Sequence, residues 1–243
     1  MCSILLNAIA PILLVLPLFF LFLKERSKQN ILTILLVSFI FSVHQIVVCI
    51  PLHFTALNPI ASYWNWSGKI LGLIFGTISY IILEKKLHPY NFMRIEQQKA
   101  TLKETLALST LVIVFSVISI FDSPKPFSVE TLLYQLSLPG LDEEILFRGL
   151  LLGLLLNTLK INVTAQKHLL FDASIFSTAL LFGLAHGINI SGFGSFNFNF
   201  SSFVWTVCYG YLWGWITLRS GSILQSLITH NVSNFLSNLL RML

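Results

Sequence analysis

Residues 141–149 read Leu-Asp-Glu-Glu-Ile-Leu-Phe-Arg-Gly and place two adjacent glutamates and an arginine inside a leucine-rich segment. Taking an ionisable side chain into the hydrocarbon of a membrane costs at least ~2.5 kcal/mol. Glu144 and Arg148 are four residues apart, so on a helix they lie on one face and neutralise each other. Glu143 lies about 100° around the helix and has no such partner within its own turn. The pattern predicts that Glu144 is held in an ion pair and that Glu143 is the available carboxylate.

The composition of the chain is that of an integral membrane protein. Of its 243 residues, 55% are hydrophobic and only 10% are charged, whereas soluble chains carry about 25% charged residues. An apolar run of about 20 residues spans a bilayer, and the sequence contains several such runs separated by short polar breaks. We therefore predict an all-α, polytopic bundle of about eight transmembrane helices that is surrounded by the lipid bilayer.

Charge and cysteine patterns argue against two other kinds of function. The net charge of +5 lies mostly in loops, and no basic cluster has the interleaved aromatic residues of a nucleic-acid surface. The three cysteines, Cys2, Cys49 and Cys208, have neither metal-ligand nor redox spacing. We expect no nucleic-acid partner and no cysteine-based metal or redox centre.

The predicted spans follow the apolar runs. They cover about residues 4–23, 30–51, 67–84, 105–121, 130–157, 172–190, 203–218 and 222–240. We treat 1–243 as a single integral membrane domain, in which 1–121 forms the N-terminal spans and 130–240 forms the core spans that carry the motifs. The fifth span is too long for one straight crossing, and Pro139-Gly140 is predicted to kink it or to separate a short entry helix.

Two further patterns concern the third span. Gly68, Gly72 and Gly76 recur every four residues, which lets a neighbouring helix approach closely. The segment 63–66, Tyr-Trp-Asn-Trp, precedes this span and is typical of aromatic residues at the level of the lipid headgroups.

The positive residues predict the orientation in the membrane. Eleven lysines and arginines fall on one side of the predicted spans, and three fall on the other side: Lys69, Lys125 and Arg241. The eleven are Lys24, Arg26, Lys28, Lys85, Lys86, Arg94, Lys99, Lys103, Lys160, Lys167 and Arg219. Because positive residues concentrate in cytoplasmic loops, we predict that both termini lie outside the cytoplasm. The compact form with short loops is typical of a prokaryotic cell-membrane protein.

Four polar residues are predicted to meet inside the membrane. His186 ends the motif Phe182-Gly-Leu-Ala-His186, while His230 and Asn234 lie on one face of the last span. A rise of 1.5 Å per residue and a hydrocarbon core of ~30 Å place these three residues and Glu143 in the outer half of the bilayer. The second span also carries His44 and Gln45. We interpret His44 as a packing group, since a lone intramembrane histidine is more often that than a catalyst.

This set of side chains suits the hydrolysis of a peptide bond without a covalent intermediate. Glu143 and His186 would hold and deprotonate a water molecule, and His230 and Asn234 would donate hydrogen bonds to the oxyanion. Glu144 and Arg148 would hold the helix in place, and no cofactor is required. A zinc site with one Glu and two His ligands is the alternative, although the His-Glu-x-x-His motif of zinc peptidases is absent.

Three motifs occur in order on the late spans: Glu-Glu-x-x-x-Arg, Phe-x-x-x-His and His-x-x-x-Asn. Together they resemble the CPBP family, which includes the CAAX prenyl endopeptidases and the bacteriocin-processing or self-immunity membrane proteins of the ABI group. The resemblance covers about 135–240, and the N-terminal spans match only in being apolar, as the variable part of that family does. It implies an eight-helix intramembrane glutamate endopeptidase that acts on a peptide or membrane protein, either prenylated or carrying a leader peptide.

The resemblance also implies a role for each motif residue. The roles are Glu143 as base, His186 as its water-holding partner, His230 and Asn234 as oxyanion donors, and Glu144 and Arg148 as supporting residues. The alternative is a non-catalytic membrane partner or bacteriocin self-immunity protein that binds an exported peptide in the same pocket. A transporter is a weaker hypothesis, because the sequence lacks repeat-related halves.

Overall fold

The computed structural model describes residues 2–60, 62–118, 124–160, 171–192 and 195–243. Its helices are α1 (Cys2–Leu21), α2 (Lys28–Cys49), α3 (Trp66–Leu87), α4 (Leu102–Ile118), α5 (Val129–Glu144), α6 (Leu152–Thr158), α7 (Ala173–Gly187), α8 (Phe200–Ser220) and α9 (Leu224–Leu240). Short 3-10 turns lie at Ile50–Leu52, Thr55–Leu57 and Lys99–Thr101. The predicted end of the fourth span at 119–121 and the loop residue Lys167 lie outside the described residues.

The central element is one continuous helix made of three segments. A π-helix over Ile145–Leu151 joins α5 to α6, and all seven of its residues are buried. A helix that is apolar on most sides and buried all round belongs at the centre of a bundle. Helices α3 and α9 pack against α5, α2 and α7 pack against α6, and α7 also packs against α8.

The prediction that Pro139-Gly140 separates a short entry helix is wrong. Helix α5 runs through Pro139 as far as Glu144, and the irregular winding begins six residues later, in the π-helix. The side chain of Asn231 on α9 braces α5 at this point, since its Oδ1 accepts a hydrogen bond from the Gly140 amide (2.9 Å) and its Nδ2 donates to the Ser137 carbonyl (3.0 Å). Proline removes one donor from the helix, and these bonds to a neighbouring helix hold the segment in place.

A β-hairpin replaces the predicted end of the sixth span. Helix α7 ends at Gly187, and the chain continues as β1 (Ile188–Gly192), which pairs antiparallel with β2 (Ser195–Phe198). Asn7 on α1 holds the hairpin through hydrogen bonds to the amide and the carbonyl of Ile190, at 2.9 and 2.8 Å. Alternating apolar residues in the hairpin had extended the apolar run and made the predicted span too long.

The exterior of the bundle is apolar, as expected for a protein in a membrane. Large hydrophobic side chains such as Leu13, Ile82 and Leu111 are exposed at 62%, 74% and 61%. In the described part of the chain, four helices are long and apolar enough to cross a bilayer: Ser3–Leu21, Lys28–Leu52, Trp66–Leu87 and Lys99–Ile118. The prediction of an all-α membrane bundle is confirmed, while the number of eight spans stays a prediction.

The glycines of the third span allow close helix contacts, as predicted. A Cβ added at Gly72 would lie 2.5 Å from Oδ1 of Asp142 on α5 and 2.7 Å from Cγ2 of Val48 on α2. A Cβ at Gly76 would meet Cγ2 of Ile145 at 3.3 Å. Helix α3 therefore lies against both α2 and the central helix, and this contact brings a side chain of α3 into the site described next.

Candidate active site

Glu143 lies at the centre of a cluster of ionisable side chains from four helices. Its Oε1 is 3.9 Å from Nε2 of His186 on α7, and its Oε2 is 3.7 Å from Nε2 of His230 on α9. Asn234, one turn beyond His230 on α9, lines the same cavity as these three residues. The structure thus brings together the four residues that the sequence predicted to meet. The fourth helix, α3, contributes Lys69.

Both named residues of the motif Phe-x-x-x-His, Phe182 and His186, make contacts that shape the site. Nδ1 of His186 donates a hydrogen bond to the carbonyl oxygen of Phe182 (2.8 Å), one helical turn earlier. Because a carbonyl oxygen only accepts, this bond leaves Nε2 as the ring nitrogen that faces Glu143. The ring of Phe182 covers the guanidinium of Arg148, with 4.9 Å between the guanidinium carbon and the ring centroid. The phenylalanine therefore shields the buried arginine while its backbone orients the histidine.

The predicted pair of Glu144 and Arg148 is confirmed, and it extends to a third residue. Oε1 of Glu144 accepts hydrogen bonds from Nη1 of Arg148 (3.0 Å) and from Nδ1 of His230 (2.9 Å). Nη2 of Arg148 donates to the Gly210 carbonyl on α8 (3.1 Å). Arg148 is 1% exposed and Glu144 is fully buried, so neither is directed at solvent. The pair holds the imidazole of His230 with Nε2 towards Glu143.

Trp213 fixes the other face of His230. The two rings stack with centroids 4.1 Å apart and an angle of 13° between their planes. Of the two asparagines in this part of α9, Asn231 is engaged in the contacts with α5 described above, whereas Asn234 faces the cavity. Asn231 therefore braces α5, and Asn234, the residue predicted from the sequence spacing, is the one that lines the cavity.

Glu143 has a cationic partner, so the prediction that it is the unpaired carboxylate is wrong. Nζ of Lys69 lies 2.6 Å from Oε1 of Glu143 and 2.9 Å from Oδ2 of Asp142. Lys69 lies in the first turn of α3. The sequence prediction considered only residues within one turn of Glu143 on its own helix and therefore could not identify Lys69. Lys69 was counted among the loop charges that set the orientation, but it is a residue of the site.

Asp142 and His44 complete this network and were both missed as site residues. Nε2 of His44 lies 2.7 Å from Oδ1 of Asp142, and the two residues are 2% and 0% exposed. The chain of contacts runs from His44 through Asp142 and Lys69 to Glu143. A signal was present in the sequence, since Asp142 precedes the two glutamates and both His44 and Lys69 interrupt apolar runs.

The cavity in front of these residues has a volume of about 430 Å³, which lies in the range of small-molecule and peptide sites. Part of its wall is aromatic and is formed by Trp64, Tyr134, Trp205, Tyr209 and Trp213. Trp64 stacks on Tyr134 with centroids 4.9 Å apart. The aromatic residue predicted at the headgroup level thus forms part of the cavity wall, while its neighbour Tyr63 is 82% exposed.

The geometry of the site fits the zinc alternative poorly. Among the described residues, no group of three His, Cys, Asp or Glu side chains is arranged to hold a metal ion. The ammonium of Lys69 also contacts the carboxylate that zinc would need as a ligand, and a cation at that oxygen competes with a metal ion. The residues present do not fit a zinc site as well as they fit a water held between carboxylate and imidazole.

The site is thus a group of buried carboxylates and histidines around a cavity in an apolar helix bundle. Residues 125–236 match the model of a family described as type II CAAX prenyl endopeptidase Rce1-like, and this match confirms the predicted resemblance. No curated protein and no solved structure matches the chain. His44 and Lys69 lie outside the matched segment.

Proposed function

We propose that this chain is an intramembrane endopeptidase in which Glu143 is the general base and no covalent intermediate forms. The convergence of Glu143, His186 and His230 within 4 Å, in a cavity of a membrane-embedded Rce1-like domain, carries the proposal. A carboxylate and an imidazole nitrogen 3.9 Å apart can both contact one water molecule at ordinary hydrogen-bond lengths.

The reaction consumes that water. Glu143 takes one proton while the water oxygen bonds to the carbonyl carbon of the peptide, and His186 holds the water through Nε2. The carbonyl oxygen becomes negative and accepts hydrogen bonds from His230 and Asn234. The bond from carbon to nitrogen then breaks, and the proton passes to the leaving amine. The second proton of the water leaves the new carboxyl group and also ends on the amine, so the products are a carboxylate and an ammonium group.

The contact between His230 and Glu144 limits how His230 takes part. Since Nδ1 donates to Glu144, Nε2 can donate to the oxyanion only when the ring carries both protons. Glu144 and Arg148 act as positioning residues, because they hold His230 and do not face the cavity.

The aromatic wall supports a substrate with a large apolar group. The rings of Trp64, Tyr134 and Trp205 line the same cavity as the ionisable residues and offer the apolar area that an isoprenoid chain or an apolar leader segment would bury. The family description names CAAX prenyl endopeptidases, so a prenylated peptide is the first substrate to test and a leader peptide the second.

The test compares wild type with Glu143→Gln in detergent. Both are incubated with a panel of prenylated CAAX peptides and a panel of leader peptides, and products are identified by mass spectrometry. We expect cleavage by wild type and a loss of at least 100-fold in Glu143→Gln, since general-base catalysis contributes about 10²–10⁴-fold.

Glu25→Gln is the matched control, because Glu25 is an exposed loop carboxylate, and it should cleave at the wild-type rate. Equal thermal unfolding of all three proteins shows that the loss is not a folding defect. Full activity of Glu143→Gln contradicts the mechanism. Tight binding of a leader peptide without cleavage by wild type would instead favour the immunity or binding function.

A further inference from the structure

A smaller cavity of about 220 Å³ lies on the other side of Glu143, next to α2. The described residues that line it are His44, Gln45, Val48, Lys69, Glu143, Phe147, Ala185 and His186. Three of them, Lys69, Glu143 and His186, also line the larger cavity. The ion pair of Lys69 and Glu143, together with His186, therefore forms the wall between the two cavities. We call the larger one the peptide cavity and the smaller one the α2 cavity.

The two cavities differ in their content of aromatic side chains. Six of the fifteen described residues around the peptide cavity are Phe, Trp or Tyr, against one of eight around the α2 cavity, where five of the eight have polar or ionisable side chains. Only Val48, Phe147 and Ala185 in this lining are apolar. Polar cavities of this size hold ordered water, while cavities lined by apolar side chains stay dry.

His44 provides a second and independent sign of a ligand. Nε2 of His44 is hydrogen-bonded to Asp142, and Nδ1 is buried without a hydrogen-bond partner among the described residues. Because the carboxylate of Asp142 accepts, Nε2 donates, and Nδ1 is left to accept a hydrogen bond. Leaving a buried polar atom unpaired is costly, and a water donor in the adjoining cavity would remove that cost.

The volume also suits water. At ~30 Å³ for each molecule, the cavity has room for about seven waters. Hydrolysis consumes one water for each bond cleaved, and the surrounding hydrocarbon provides none. A substrate whose apolar group fills the peptide cavity excludes water from that side of Glu143. The nucleophile then needs another way to reach the carboxylate.

We propose that the α2 cavity is a water chamber that supplies the nucleophilic water to Glu143 and His186 from the side opposite the peptide. The proposal rests on the hydrolytic function proposed above. It assigns water as the ligand of the α2 cavity, with His44, Gln45 and Lys69 as the residues that hold it.

The kinetic test fills each cavity separately. Ala185→Leu adds bulk to the α2 cavity alone, and Thr206→Leu adds bulk to the peptide cavity alone. We expect Ala185→Leu to lower kcat at least tenfold with KM within twofold of wild type, and Thr206→Leu to raise KM. Val48→Phe, which fills the α2 cavity from α2, should repeat the effect of Ala185→Leu if that variant folds poorly.

Two kinetic outcomes would overturn the water chamber while leaving the protease function intact. Wild-type kcat in well-folded Ala185→Leu and Val48→Phe would mean that water does not come this way. A rise in KM with unchanged kcat in these variants would mean that the α2 cavity holds part of the peptide.

The second test does not depend on activity. In a background with Cys2, Cys49 and Cys208 changed to serine, Gln45→Cys and Val47→Cys are treated with 2-aminoethyl methanethiosulfonate, which reacts with hydrated thiolates. Val47 is half-buried at the same depth of α2 but does not belong to the described lining of either cavity. We expect Gln45→Cys to react at least tenfold faster, and equal rates would contradict the proposal. Fast labelling of Gln45→Cys in a protein that cleaves no peptide would show a hydrated cavity but contradict the hydrolytic function, and with it the supply of a nucleophilic water.

Discussion

Lys69 joins two buried carboxylates that would otherwise repel each other. Removing one partner of a buried ion pair destabilises a protein by about 3–5 kcal/mol, because the remaining charge is left uncompensated. We expect Lys69→Met to lower kcat at least tenfold and to reduce the thermal stability in detergent, since Glu143 and Asp142 lose their shared cation. Lys69→Arg keeps the charge and should retain most of both properties. Wild-type cleavage by Lys69→Met would show that Glu143 needs no partner.

The residues of the site divide into those that sequence spacing could reveal and those it could not. Glu144 and Arg148 interact across one helical turn, so their pairing follows from a four-residue spacing. Lys69 and Glu143 are 74 residues apart on different helices, and no periodicity within one helix connects them. Asp142 could have been predicted as a site residue from the sequence. Its charge within an apolar segment has the same cost as the charges of the two glutamates.

At the scale of single helices, the glycine face of α3 allows a matched comparison. The methyl group of Gly72→Ala would collide with the carboxylate of Asp142 and with Val48, whereas that of Gly76→Ala meets only the end of the Ile145 side chain. Overpacking of this kind costs about 1–3 kcal/mol. We expect Gly72→Ala to unfold at a clearly lower temperature and to cleave more slowly, with Gly76→Ala close to wild type. Equal stability of the two variants would show that α3 can move away from α5 freely.

The helices themselves were largely predictable, and their irregularities were not. Apolar runs give the positions of α1 to α4 because every residue in such a run favours the same surroundings. The π-helix over Ile145–Leu151 has no comparable signature in the apolar pattern, and its Arg148 is bonded to Glu144 on α5 and to the Gly210 carbonyl on α8. Pro139 predicts an interruption of the helix, but the hydrogen bonds of Asn231 to α5 keep the helix continuous.

For the molecule as a whole, the loop charges predict the orientation more strongly once Lys69 is assigned to the site. Eleven positive residues then stand against two, Lys125 and Arg241. We propose that the termini and the catalytic side face outward. In the cysteine-free background, Ser195→Cys should react with an impermeant maleimide on intact cells, and Lys99→Cys only after permeabilisation. Both positions are exposed, and the reverse pattern would invert the orientation.

The membrane class of the fold followed from composition, but the count of crossings does not follow from hydropathy. The four helices that meet the length and apolarity of a span all lie before residue 119 in the described part of the chain. The later helices carry Asp142, Glu143, Glu144, Arg148 and the two histidines of the site. These helices are also short, with 16 residues in α5, 15 in α7 and 17 in α9.

The ion pair of Lys69 has a consequence for how the protein is made. Lys69 precedes Asp142 by 73 residues, so at about 5–20 residues per second the ribosome needs roughly 4–15 s to supply its counter-charge. During that interval, α3 is a newly inserted segment with an unmatched ammonium group. Because an unpaired charge within a membrane segment is costly, we expect the time that α3 spends without α5 to make translation speed a determinant of the yield of folded protein.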